Sequence, residues 1–260
     1  MDEHEARDRG AWERTGRGVR GVLGAMRDVV FPPVCLGCGA RTAGHGALCT
    51  QCWCGLSFIE EPVCPVMGTP FSHEMGPGIV SPAALADPPR FDRARSALAY
   101  TGAARDLVRG LKYRDRTDLA PTMAAWMMRA CATMLAEGDA IVAVPLHRGR
   151  LFARGFNQSA ELARALARRA GVEFLPAALV RKRATRQQVG LTLAERRTNV
   201  RGAFAVSQNC LPMIVGRRII LVDDVYTTGA TVDAATLALR RAGAAAVDVA
   251  TFARVLDDHI

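Results

Sequence analysis

The stretch Ile219-Ile220-Leu221-Val222-Asp223-Asp224-Val225-Tyr226-Thr227-Thr228-Gly229-Ala230-Thr231 constrains this chain more than any other. A continuous apolar run of this length reads as a buried strand. It ends in two adjacent acids, at the carboxyl edge where α/β sheets bind ligands. A hydroxyl-rich loop follows and opens a helix. Backbone N–H groups at a helix N-terminus attract anions, and threonine hydroxyls add donors. Gly229 lets the backbone approach closely. One loop therefore offers a phosphate cradle beside two carboxylates able to accept hydrogen bonds from vicinal sugar hydroxyls. That pairing suits a phosphorylated ribose. A plain strand end with capping acids explains one aspartate better than two followed by Thr-Thr-Gly-Ala-Thr.

The second informative pattern is in the cysteines. Cys35-x-x-Cys38 and Cys49-x-x-Cys52 are two knuckles with ten residues between them. Each tight turn aims two thiolates at one point, and two turns complete a tetrahedron. The spacing favours zinc over disulfides, and a closed four-thiolate site is structural. In so small a segment the metal contributes on the order of 10 kcal/mol to folding. His45 and Cys54 rank below the four cysteines as ligands. Cys64 opens Cys-Pro-Val-Met, a knuckle lacking its second cysteine, so a second zinc is not expected. Cys131 and Cys210 read as core or half-buried thiols.

With 260 residues, 50% of them hydrophobic and 23% charged, the chain fits one or two globular domains and excludes a mostly disordered protein. No apolar run is long enough to span a membrane. Residues 1–14 lack the apolar core of a secretory signal, so the expectation is a cytoplasmic protein without a membrane span. The formal charge of +9 is unevenly placed, because residues 147–201 alone carry 13 basic and 3 acidic side chains. Such a field favours phosphates, pyrophosphate or nucleic acid. An arginine-rich composition would also produce it without any partner.

Residues 1–15 are expected to be disordered and 17–31 to form a short amphipathic helix. The domain reading is residues 1–33 as terminus and helix, 34–68 as zinc module, 69–90 as linker, and 91–260 as the main domain. Helical patterns cover 103–112 and 118–136. Ala140–Val144 reads as a strand, and Asn157 caps a helix to about Arg169. Residues 174–180 read as a strand and 181–190 as a basic mobile loop. Thr192-x-x-Glu195 is a capping box. Strands at 218–222 and 247–252 flank a helix at 231–241 closed by Gly243. Strand–helix–strand alternation with apolar strands argues a parallel α/β sheet flanked by helices. No internal repeat is evident.

The acid-acid-x-x-Thr-Thr-Gly-x-Thr pattern resembles the type I phosphoribosyltransferases. That resemblance implies that Asp223 and Asp224 hold the ribose hydroxyls of 5-phosphoribosyl diphosphate (PRPP), and act as the catalytic acids of an active enzyme. Thr227, Thr228, Gly229, Ala230 and Thr231 would cradle its 5-phosphate. The zinc knuckles, LKYRDR (111–116), VPLHRGRLFARGFNQS (144–159), Gln188 and RRTNVRGAF (196–204) then resemble the competence protein F (ComF) family over about residues 31–254. In type I transferases the loop after the first core strand holds pyrophosphate. By that resemblance His147, Arg148, Arg150 and Arg154 belong to a basic pyrophosphate loop. Lys182 or Arg183 would meet the leaving pyrophosphate when the 181–188 loop closes and excludes water.

The resemblance further implies Mg²⁺ bound with PRPP and a role in DNA uptake during natural transformation, or in use of internalised DNA. Three roles stay open. One is a transferase moving the phosphoribosyl group to a nitrogen nucleophile, for which no base-selecting hood is visible. Another is a PRPP sensor without turnover. The last is a single-stranded DNA-binding adaptor docking on a helicase-like DNA-import motor. The basic stretch holds just Phe152, Phe156 and Phe174 as stacking residues, which counts against the last.

Overall fold

The computed structural model describes residues 28, 31–76, 78–113, 115–183 and 192–256. The helix expected at 17–31 falls almost wholly outside them, as do the terminal segment 1–15 and Gln188. The chain divides into two compact units between Cys52 and Trp53. Residues 53–90, which include Cys64, therefore belong to the larger unit.

The smaller unit is organised by the first knuckle. Val34 bridges Arg41 in antiparallel fashion. Within that turn Cys35 N donates to Ala40 O at 2.6 Å, and Gly39 N to Cys35 O at 3.0 Å. The second cysteine pair enters at the start of helix α1 (Thr50–Cys54).

The same turn recurs in the larger unit, which corrects the expectation of no internal repeat. Val63 bridges Pro70. Cys64 N donates to Thr69 O at 2.8 Å, and Gly68 N to Cys64 O at 2.8 Å. Both turns carry Pro-Val-Cys and close on a glycine, Gly39 at φ 79° and Gly68 at φ 64°. The repeat is faint in sequence because Met67 stands where the first turn has Cys38. Hydrogen bonds hold the second turn instead of thiolates. Cys64 Sγ accepts from Met67 N at 3.4 Å and Ser81 N at 3.3 Å. Arg95 donates to Pro65 O at 3.1 Å, and Arg254 donates to Met67 O. Gly68 is required there, because a Cβ would stand 2.3 Å from Ala94 O.

Helix α2 (Pro82–Ala86) leads to strand β1 (Arg93–Ala99). Then come α3 (Gly102–Tyr113), α4 (Ala120–Ala130), α5 (Ala132–Glu137) and β2 (Ala140–Ala143). Next are α6 (Arg148–Arg154), α7 (Gln158–Ala170), β3 (Glu173–Phe174) and β4 (Leu179–Arg181). The remainder is α8 (Leu193–Val200), β5 (Phe204–Val206), β6 (Arg218–Tyr226), α9 (Ala230–Arg241) and β7 (Ala246–Arg254). The single strand expected at 174–180 is two elements. β3 joins the main sheet, and β4 pairs antiparallel with β5 in a separate ribbon.

The main sheet is parallel with order β1-β7-β6-β2-β3. From β2 the chain crosses through α7 to β3 on one side. From β6 it crosses through α9 to β7 on the other. Right-handed crossovers running opposite ways put α7 and α9 on opposite faces. Side-chain alternation agrees. Ile219, Leu221, Val247 and Val249 pack with Val232, Ala235 and Leu239 of α9 in one core. Ile220 and Val222 therefore point to the other face. The crevice between the carboxyl ends of β2 and β6, where connections diverge, is where such sheets take ligands.

Strand β1 is absent from the sequence reading, because Arg-Ala-Arg-Ser-Ala-Leu-Ala has no β-branched residue. Tertiary pairing makes it a strand. Arg93 pairs with buried Asp248 at 2.9 Å, and Ser96 Oγ lies 2.6 Å from Thr251 Oγ1. Its outer edge is closed by Ile59 N, donating to Ala97 O, and by Ala99 N, donating to Ser57 O, both at 3.0 Å or less.

Candidate functional site

A cavity of about 850 Å³ opens at the carboxyl ends of β2 and β6. Asp223, Asp224, Thr227, Gly229 and Thr231 line it from the β6–α9 turn. Arg150 and Arg154 line it from α6, together with the backbone segment Val144–Leu146. Thr228 and Ala230 are in the same turn without facing the cavity, and Thr228 Oγ1 is buried with no hydrogen-bond partner among the described residues. A buried hydroxyl left so is rare unless something fills the place.

Gly229 starts α9 in the left-handed region, φ 77°. A Cβ there would stand 2.4 Å from the Tyr226 hydroxyl oxygen. Tyr226 supports the loop from beneath. It is buried, packs edge-on against Phe91 at 6.2 Å and carries the Arg254 guanidinium 4.8 Å from its ring centre.

The acid pair is held by three elements. Asn157 caps α7 by accepting from Ser159 N at 3.1 Å, and its amide donates to Val144 O at 3.0 Å. That cap ties α7 to the end of β2 and places Ser159, whose hydroxyl donates to Asp223 Oδ1 at 2.8 Å. Asp224 N donates to the same oxygen at 2.9 Å. The third element is α3, which brings Lys112 Nζ to 3.0 Å from Asp224 Oδ2. Withdrawal from water and the charge of Asp224 push the Asp223 carboxyl up to about 7, against the pull of Ser159 and Lys112. Burial disfavours the Lys112 ammonium, but Asp224 and Asp223 overcome this and raise it above its ordinary range.

Other sequence candidates fall elsewhere. His147 caps α6, its Nδ1 accepting from Gly149 N at 3.3 Å, and does not line the cavity. Arg148 does not line it either. Lys182 N donates to Ala203 O at 2.8 Å. The Arg183 guanidinium donates to Asn199 O and Arg201 O, at 3.1 and 2.8 Å. Ser159, Tyr100 and Asp115 line the cavity with no site role given to them by the sequence reading. Arg181, expected in the basic mobile loop 181–190, lines it from strand β4 instead, and residues 184–190 of that loop lie outside the described residues. Arg181 is buried on β4, with its guanidinium 5.2 Å from the Phe204 ring centre. Desolvation and the like charge of Arg150 hold it below its ordinary range. Tyr113 lies at the mouth, 73% exposed, with the Arg154 guanidinium 5.2 Å from its ring centre. Ser159 was legible in principle, because it sits two residues after a capping asparagine.

In the smaller unit the Sγ atoms of Cys35, Cys38, Cys49 and Cys52 lie within 4.8 Å of one another. Cys38 and Cys49 approach to 3.6 Å. Zinc–sulfur bonds of about 2.3 Å in a tetrahedron place sulfurs ~3.8 Å apart, so the cluster fits zinc. Burial opposes a charged Cys35, but the N–H groups of Cys38, Cys49 and Gly37 lower its thiol to about 6, toward the thiolate that binds metal.

Comparison with known proteins finds two domain types along the chain. A double zinc ribbon domain matches residues 26–82. A phosphoribosyl transferase domain matches residues 153–259. The DNA utilization protein YhgH of Escherichia coli K12 is 33% identical over 234 residues, 88% of this chain and all of that one. The chain belongs to the ComF family. Competence protein F of Haemophilus influenzae is 39% identical over 118 residues, 45% of this chain and half of that one. Among solved structures, a glutamine PRPP amidotransferase from B. subtilis is 22% identical, with a TM-score of 0.34 over 54% of this chain and 30% of that one. The ComF chain described here has the phosphoribosyltransferase-type parallel sheet and an N-terminal four-cysteine zinc ribbon. Among its described residues no helix is long and apolar enough to cross a membrane.

Proposed function

We propose that the cavity binds PRPP as its Mg²⁺ complex and that the ComF chain uses it in handling internalised DNA. One observation carries this reading. Two carboxylates, a helix N-terminus flanked by Thr227 and Thr231, and two arginines converge on one crevice. The Thr227–Thr231 turn takes the 5-phosphate. Asp223 and Asp224 accept from the ribose hydroxyls. Arg150 and Arg154 meet the diphosphate. Asp223 and Asp224 are the carboxylates that would hold Mg²⁺ beside the sugar, and the ion would supply charge neutralisation to the leaving diphosphate.

If turnover occurs, the anomeric C–O bond breaks, pyrophosphate leaves with the bonding pair, and a nitrogen nucleophile forms the new C–N bond from the opposite face. The chain's residues then act by charge placement: the acid pair beside the ribose and guanidinium groups beside the departing diphosphate. Names of relatives such as "DNA utilization protein" and "Competence protein F" support the cellular setting.

Pyrophosphate release from PRPP, screened over purine, pyrimidine and amine acceptors, tests turnover. Release dependent on one acceptor supports the transferase. Tight PRPP binding without release under any acceptor supports the sensor.

A second reading has one observation in its favour. Phe152 is 93% exposed on α6 among Arg148, Arg150 and Arg154. Arg148, four residues earlier, shares its helix face, and an exposed ring beside a basic side chain suits stacking of single-stranded DNA. Oligonucleotide binding with a steep salt slope, lost in Phe152→Ala but kept in Asp223→Asn/Asp224→Asn, would support it.

A further inference from the structure

We propose that Lys112 is a positioning residue of this site, its ammonium set against Asp224 so that the acid pair is aimed to accept the sugar hydroxyls. The inference rests on the phosphoribosyl reading above.

Two adjacent carboxylates at one strand end repel each other, and away from water they tend to share a proton. Asp223 has local compensation, since Ser159 Oγ and Asp224 N both donate to its Oδ1. Asp224 is more deeply placed, only 4% exposed, and is met by Lys112 at 3.0 Å. A buried carboxylate next to another stays ionised only with a cation or donors against it. Lys112 is the cation set against Asp224, and its charge also opposes the rise of the Asp223 carboxyl.

Its place is fixed by packing rather than by a flexible stem. Leu107, Val108 and Leu111 of α3 are 1% exposed or less. The helix is thus anchored one turn before Lys112. Tyr113, next in sequence, turns outward to meet Arg154 at the cavity mouth. Asp224 Oδ2 is buried facing the ammonium, and Asp224 lines the cavity.

Other charged and titratable groups face the pair from neighbouring elements. Tyr100 at the end of β1 lies near Lys112, and Arg181 from β4 acts on Asp223. Arg150 and Arg154 from α6, and Asp115 after α3, line the same cavity. Lys112 stands in direct contact with Asp224. A purely structural Lys112 would tie α3 to the sheet and leave the ionisation of the pair unchanged.

The test is calorimetric binding of PRPP with Mg²⁺ to the zinc-loaded full chain between pH 6 and 9, in wild type, Lys112→Met and Lys112→Arg. At pH 7.5 Lys112→Met is expected to weaken binding by between about tenfold and a hundredfold. Its acid limb should move to higher pH, so that the loss shrinks toward pH 9. Lys112→Arg keeps the cation and should keep the wild-type profile even where Lys112→Met folds poorly. Wild-type affinity in Lys112→Met would overturn the inference. So would a loss equal at every pH, or a Lys112→Arg profile displaced like a neutral variant's. A wild type that binds no PRPP would instead overturn the phosphoribosyl reading, and this inference with it.

Discussion

Asp223 and Gly229 carry opposite kinds of constraint. The Asp223 carboxyl sits at about 7, and the form that accepts sugar hydroxyls is the ionised one. PRPP affinity should therefore fall as pH drops through 7, approaching a tenfold loss per pH unit below it. A pH series of binding isotherms checks this, and a flat profile from pH 5 to 8 would contradict it. For stability the sign is reversed. The folded-state carboxyl is raised above its unfolded value, so the stability it contributes is present below about pH 4 and lost as pH rises through 7. Asp223→Asn should consequently raise Tm at pH 8 while abolishing binding, as expected where a site is kept for function. Gly229 is constrained by space and by φ. Gly229→Ala places a methyl against Tyr226. It should destabilise the fold by about 1–3 kcal/mol and remove phosphate binding, read by denaturant unfolding and calorimetry.

At the scale of elements, one cap links several parts of the site. Asn157 joins the end of β2 to α7 and sets Ser159 against Asp223. Asn157→Ala should cost about 1–2 kcal/mol in urea unfolding and weaken PRPP binding as well. A stability loss with unchanged affinity would show that Ser159 keeps its place without the cap. The sequence disclosed β6, its acids and α9, because an apolar run, a charge pair and a glycine turn are all local signals. It also disclosed the Asn157 and Thr192 caps, which are local hydrogen bonds. It did not disclose β1, whose alanines and arginines become a strand through Asp248 and Thr251, 155 residues away. The reach of Lys112 to Asp224 and of Arg181 into the cavity were hidden for the same reason. Each depends on where a distant helix or ribbon packs.

At the scale of the whole chain, the two knuckle turns share a backbone, and four converging cysteines occur in the first alone. The second keeps its turn through Arg95, Arg254, Ser81 and Gly68. Elemental analysis should give one zinc per chain. Cys64→Ser should retain it, and Cys38→Ser should lose it and unfold the smaller unit. Two zincs per chain would show that Cys64 finds partners outside this arrangement. The basic stretch 147–201 splits between uses. Arg150, Arg154 and Arg181 line the cavity, whereas Arg183 is spent on backbone carbonyls. Net charge in the sequence could not make that division.

The central claim is that the crevice at β2 and β6 takes a phosphorylated ribose through its acid pair. Isothermal calorimetry of the zinc-loaded chain with PRPP and Mg²⁺, beside Asp223→Asn/Asp224→Asn, tests it most directly. The expected result is saturable binding by wild type and none by the folded double variant. No binding by a well-folded wild type, or equal binding by both proteins, would contradict the account.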